Sequence, residues 1–150
     1  MNKLTPDTAF KKILVIDDNE IDLYIAETCI LNTFNSTEVI TEQSAEKALE
    51  YLLSLKDAPD KLPDLIFLDI RMPVMDGFGF LEEYEKLPES LRRKAITMLS
   101  SSLNEEDHER AAKSNFVENF IIKPLNKEKL KEIISNKAKL LVSQKAEATD

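Results

Sequence analysis

Two short apolar runs constrain this chain more than anything else in it. Ile13-Leu14-Val15-Ile16 and Leu65-Ile66-Phe67-Leu68 are each four residues long, and each runs directly into aspartate, Asp17-Asp18 after the first and Asp69 after the second. Four residues are too few for a helix. An unbroken apolar run with little alternation is the pattern of a strand buried on both faces, which is the habit of parallel sheets. Phe120-Ile121-Ile122 reads as a third such strand and Ala95 to Leu99 as a fourth, with Val39-Ile40 a shorter candidate at a sheet edge.

Helical stretches separate the strands. Ser44 to Leu55 has a serine N-cap and apolar Ala45, Ala48, Leu49, Leu52 and Leu53 at i, i+3, i+4, i+7 and i+8. Asn19 to Thr33 is expected to place Ile25, Ala26, Cys29 and Ile30 on one face, which makes Cys29 a small core residue and not a reactive thiol. Gly77 to Lys86, Asn104 to Lys113 and Lys127 to Val142 complete the set. Asn104 followed by Glu105, Glu106 and Asp107 is a cap with acids in the positive first turn. Strand and helix alternate five times, so the expected architecture is α/β: a doubly wound, five-stranded parallel sheet with helices on both faces. One domain over residues 11–142 accounts for the pattern, with a flexible segment at 1–10 and a polar tail at 143–150.

Composition then removes chemistries. The chain has 150 residues, two glycines, one cysteine, one histidine and no tryptophan. Gly77 and Gly79 stand without the third glycine of a dinucleotide fingerprint. A Cys/His zinc site cannot be assembled from one of each, and Cys29 has no intramolecular partner, as expected in a reducing cytoplasm. Carboxylates are plentiful instead. Twenty-eight acidic against twenty basic residues give a net charge of −8, which argues against nucleic acid or an anionic membrane as the main partner. No apolar run is long enough for a signal peptide or a span, so membrane insertion is not expected and a cytoplasmic location is. From Lys123 onward there are seven lysines and four acids, so the last helix is a basic surface on an acidic protein, either a solvated face or a docking surface.

In an open parallel sheet, ligands bind beyond the carboxyl ends of the strands. Those ends carry Asp17 and Asp18, Asp69, Ser100-Ser101-Ser102 and Lys123-Pro124. Three carboxylates, a hydroxyl and an ammonium therefore meet on one edge. Two carboxylates about 5 Å apart repel by roughly 3 kcal/mol at an effective dielectric near 20, so a cation belongs among them. Lys123 is one candidate, and Mg²⁺, a hard cation content with one or two carboxylates, waters and a phosphate, is the other. An ionised Asp beside them is a competent nucleophile toward phosphorus.

Four motifs, Ile13-Leu14-Val15-Ile16-Asp17-Asp18, Leu68-Asp69-Ile70-Arg71-Met72-Pro73 with Asp76-Gly77, Leu99-Ser100-Ser101 and Ile122-Lys123-Pro124, resemble the receiver domain of two-component response regulators. The resemblance runs from about Lys11 to Val142. It implies the flavodoxin-like strand order 2-1-3-4-5, Asp69 as phospho-acceptor, and an Mg²⁺ held by Asp17, Asp18, Asp69 and the backbone carbonyl of Arg71. It further implies that Lys123 pairs with the phosphoryl group, that Ser100 is the switch hydroxyl, that Phe120 takes the place of the switch aromatic, and that the Lys123-Pro124 peptide is cis. Ser100 replaces the more frequent threonine and Phe120 the more frequent tyrosine. Arg71 and Ser102 stand where the family tunes autodephosphorylation.

The function expected from the resemblance is a stand-alone phosphorylatable receiver in a phosphorelay. Asp69 would take its phosphoryl group from a phosphohistidine on a sensor histidine kinase or a histidine phosphotransfer protein. A downstream protein partner would read the surface around Asn104 to Lys113, the last strand and the basic last helix. Beyond its own phosphorylation and dephosphorylation it is not expected to be an enzyme. Two rival readings fit the residues less well. A haloacid-dehalogenase-type phosphatase wants a second Asp two residues after the nucleophile, where this chain has Arg71. A non-phosphorylated receiver-like scaffold has no need of the filled acidic, hydroxyl and lysine positions. His108, among Glu106, Asp107, Glu109 and Arg110, is expected to be an exposed helix residue.

Overall fold

A computed structural model describes residues 10–136. The expected polar tail, residues 137–142 of the predicted last helix and residues 1–9 lie outside that span. The strands are β1 (Lys12–Ile16), β2 (Glu38–Glu42), β3 (Leu65–Asp69), β4 (Ile96–Ser100) and β5 (Val117–Ile122). The helices are α1 (Glu20–Thr33), α2 (Ala45–Ser54), α3 (Gly77–Glu85) and α4 (Glu105–Ala112), and α5 begins at residue 127 and is described through 136. The strands form a parallel sheet in the order β2-β1-β3-β4-β5. None of the described helices is long and apolar enough to cross a membrane.

The apolar runs of β1 and β3 serve two cores at once, because successive side chains point to opposite faces. Leu14, Ile16, Ile66 and Leu68 pack with Ala48 and Leu52 of α2, Phe80 and Tyr84 of α3 and Ala111 of α4. Ile13, Val15, Leu65 and Phe67 pack on the other face with Leu23, Ala26 and Ile30 of α1 and with Leu130 and Ile133 of α5. Both faces are thereby covered. Caps set the helix starts: Asn19, Ser44, Asp76 and Asn104 each accept hydrogen bonds from first-turn backbone N–H groups, an arrangement typically worth about 1 kcal/mol.

Three expectations need correction. β5 is an edge strand, half-buried along most of its length, and not buried on both faces, because the strand order gives it a single neighbour. In α1 the buried residues are Leu23, Ala26 and Ile30, and Cys29 packs half-buried against the same core as expected, but Ile25 is 40% exposed, since the face is set by which side meets the sheet and not by local apolarity. Phe10, assigned to the flexible N-terminal segment, is buried with its ring edge-on to Phe34 at 5.7 Å between centroids.

Candidate functional site

Strand register assembles the site. Ile16 of β1 pairs with Leu68 of β3, so the next residues, Asp17 and Asp69, emerge side by side at the carboxyl edge. Asp69 pairs with Leu99, one residue before Ser100, and Ser100 pairs with Ile122, one residue before Lys123. The backbone N–H of Lys123 donates to the Ser100 carbonyl at 2.7 Å. The Lys123-Pro124 peptide is cis. Gly77 lets α3 start against the end of β3: a Cβ there would lie 2.6 Å from the Asp69 carbonyl oxygen and 3.0 Å from Ile70 Cα.

Carboxylate oxygens of Asp17, Asp18 and Asp69 lie within 4.8 Å of one another, with Asp17 and Asp69 buried and Asp18 exposed. At that separation each ionised pair repels by roughly 3.5 kcal/mol at an effective dielectric of about 20. Lys123 Nζ answers part of this, 2.7 Å from Asp17 Oδ2, 2.9 Å from Asp22 Oδ2 and 3.1 Å from Asp69 Oδ1. Asp17 Oδ1 accepts from the N–H of Asn19. Beside Lys123 lies a cleft of about 250 Å³ lined in part by Asp17, Asp22, Ser101 and Pro124.

Burial pushes the Asp69 carboxyl up to about 6; the nearby Asp17 charge adds to this and Lys123 opposes it. Burial likewise raises Asp17, against the hydrogen bond from Lys123. Burial works against the Lys123 ammonium too, but hydrogen bonds to Asp17 and Asp22, with the charges of Asp17 and Asp69, outweigh it and hold the amine above its ordinary value. The ammonium is therefore permanently charged at neutral pH, while the carboxylates still lack a full counter-charge. Three hard oxygen donors short of positive charge are the donor set of a magnesium-type cation.

The remaining expected residues lie around this cluster. The buried Ser100 hydroxyl donates to the Ser102 carbonyl at 2.6 Å and accepts from the Ser102 N–H, so it is turned into its own loop. Phe120 is half-buried in β5, with its ring edge-on to His108 at 5.0 Å; His108 is an exposed residue of α4, but not one free of contacts. Arg71 sends its guanidinium away to Asp107, Nη2 to Oδ2 at 2.7 Å.

Two participants escaped the sequence reading. Asp22, the second carboxylate to reach Lys123 within 3 Å, sits in the first turn of α1, where an acid is fully explained as a helix-dipole partner. Its signal was its place one turn after Asp18. Lys129 of α5 donates to the carbonyls of Ile122 and Pro124, clamping the turn that carries Lys123. A lysine in a first helical turn gives no such hint.

Known proteins agree with this arrangement. The family profile described as response regulator receiver domain matches residues 13–135. A sensor histidine kinase CheAY of Helicobacter pylori is 33% identical over 85% of this chain, which spans 15% of that protein's length. A probable methanogenesis regulatory protein FilR2 of Methanothrix harundinacea is 29% identical over 81% of this chain and 77% of its own. Among solved structures, a two-component response regulator from Cytophaga hutchinsonii superimposes with a TM-score of 0.78 at 29% identity, covering 85% of this chain and 96% of that one. The phosphorylated cyanobacterial phytochrome response regulator RcpA gives 0.66 at 30% identity, covering 91% and 96%. With the acidic cluster and its lysine at the carboxyl edge of a 2-1-3-4-5 sheet, these matches establish that the chain belongs to the response regulator receiver domain family of two-component systems.

Proposed function

We propose that this protein is a phosphorylatable signalling receiver whose Asp69 accepts a phosphoryl group from a phosphohistidine on a sensor histidine kinase or a histidine phosphotransfer protein. The observation that carries the reading is the buried Asp69 carboxylate, set among Asp17 and Asp18 and facing the Lys123 ammonium at 3.1 Å. In the transfer, an Asp69 carboxylate oxygen forms a bond to phosphorus as the phosphorus–nitrogen bond to the donor imidazole breaks, and the departing nitrogen takes a proton from solvent. Water attacking phosphorus later returns inorganic phosphate and the free carboxylate.

Asp17, Asp18, Asp69 and the backbone carbonyl of Arg71 are the residues assigned to hold Mg²⁺. Bound there, the ion would neutralise charge on the phosphoryl oxygens and let the carboxylates stand together. Lys123 exchanges contact with the Asp69 carboxylate for contact with a phosphoryl oxygen, keeping Asp22 and Asp17 as anchors. Ser100 breaks its local bond to Ser102 and offers its hydroxyl to the phosphoryl group, and Phe120 follows against His108. The altered surface of α4, β5 and α5 is what a downstream partner reads, as a shift between existing conformations. Exposed Ile21 and Tyr24 on α1, Val74 after β3 and Leu103 after β4 give the surroundings of the site an apolar surface suited to a protein donor. The single unpaired cysteine fits a cytoplasmic setting.

The test is incubation with phosphoramidate, which presents the same phosphorus–nitrogen bond, followed by intact mass measurement. Wild type should gain one phosphoryl group with Mg²⁺ and none in EDTA. An unmodified wild type, or equal labelling of Asp69→Asn, would overturn the reading.

A further inference from the structure

The loop of residues 70–76 runs from Asp69 to α3 and is tied down at three points. The Ile70 N–H donates to the Leu99 carbonyl at 3.2 Å, and the Gly77 N–H donates to the Ile70 carbonyl at 2.8 Å. The third tie leaves the loop altogether: the Arg71 guanidinium reaches Asp107 in the first turn of α4. The two partners are unequal. The Asp107 side chain is 12% exposed and that of Arg71 64%, so the carboxylate depends on the guanidinium far more than the reverse. Asp107 is itself fixed, because its N–H donates to the Asn104 side chain that caps α4.

The loop needs such a restraint. Val74, fully exposed, has φ 68°, a conformation that disfavours a β-branched residue, so local preference does not hold this backbone in place. Next to Asp107, His108 packs on Phe120. One helical turn thus touches both the loop that follows Asp69 and the strand that leads to Lys123.

Resting on the function given above, we propose that Asp107 is a positioning residue for the metal and phosphoryl site. Through Arg71 it fixes the loop whose carbonyl is assigned to Mg²⁺, and it ties occupancy of that site to the first turn of α4. Linkage makes the effect reciprocal: if the ion pair raises affinity for Mg²⁺, bound Mg²⁺ must strengthen the ion pair.

The test is calorimetric titration of the full chain with Mg²⁺ alone, for wild type, Arg71→Gln, Asp107→Asn, the double variant and Arg71→Lys. Arg71→Gln removes the pair from its exposed side and leaves the helix cap untouched. Each single removal should weaken Mg²⁺ binding about threefold to fivefold, the scale of a partly exposed ion pair. The double variant should bind no more weakly than either single, and Arg71→Lys should retain most of the affinity. In hydrogen exchange, Mg²⁺ should protect the first turn of α4 in wild type and not in Asp107→Asn. Wild-type binding with unchanged affinity in both single variants, or losses that simply add in the double variant, overturns the coupling and leaves the function standing. A wild type that binds no Mg²⁺ overturns both.

Discussion

Removing the charge of Asp69 should stabilise the metal-free protein. Asp69 is 5% exposed, and its carboxyl is raised from 3.8 to about 6, chiefly by burial and then by the Asp17 charge. A raised acid pKa means that between those values the folded state holds a proton the unfolded chain has released. Stability therefore falls as pH rises through that window. The gap between 3.8 and about 6, at about 1.36 kcal/mol per pH unit, amounts to about 3 kcal/mol once the pH is above both values. Asp69→Asn keeps the shape and removes the charge, while Lys123 retains Asp17 and Asp22. In EDTA the variant should match wild type near pH 4 and exceed it by about 3 kcal/mol at pH 7.5. Urea unfolding followed by circular dichroism measures this; the chain has no tryptophan to report by fluorescence. A gain that is absent, or equal at both pH values, would refute the electrostatic reasoning.

Other consequences can be measured with the same methods. Mg²⁺ at a hundred times its dissociation constant should stabilise wild type by about 2.7 kcal/mol, and Asp69→Asn should show less of this gain, because the proposed site loses one of its three carboxylates. Lys123→Met leaves Asp17 and Asp69 without their shared ammonium. It should cost about 3–5 kcal/mol at pH 7.5 in unfolding experiments, and less near pH 5, where carboxylates raised by burial take up protons instead. Gly77→Ala drives a methyl group against the Asp69 carbonyl oxygen and the Ile70 backbone, so it should destabilise the fold by about 1–3 kcal/mol and slow phosphoramidate labelling. A variant as stable and as reactive as wild type would show that the start of α3 need not sit that close.

The carboxyl edge of the sheet was legible because two simple regularities compound. Apolar runs of strand length mark buried parallel strands, and whatever polar residue follows such a run is delivered to one edge. Asp17, Asp69, Ser100 and Lys123 all follow from that, and register then makes Asp17 and Asp69 neighbours. Less legible was anything that depends on which elements meet. β5 is as apolar as β3 over three residues, yet it is an edge strand, because strand order is decided by long-range packing. The core face of α1 is rotated from the one that local apolarity favoured, leaving Ile25 partly in solvent. Asp22 was hidden by a sufficient local explanation, an acid in a helix's first turn. The Arg71–Asp107 pair joins residues 36 apart on separate elements, and no periodicity marks such a pair. The direction of the Ser100 hydroxyl is a rotamer choice made by its own loop.

The most direct test of the central claim is chemical trapping of the modified residue. After phosphoramidate and Mg²⁺, borohydride reduces an aspartyl phosphate to homoserine, which peptide mass spectrometry can place. Homoserine at position 69, absent in EDTA and in Asp69→Asn, is the predicted result. Its absence from wild type, or its appearance at Asp17, Asp18 or another acid while Asp69 stays intact, would contradict the account.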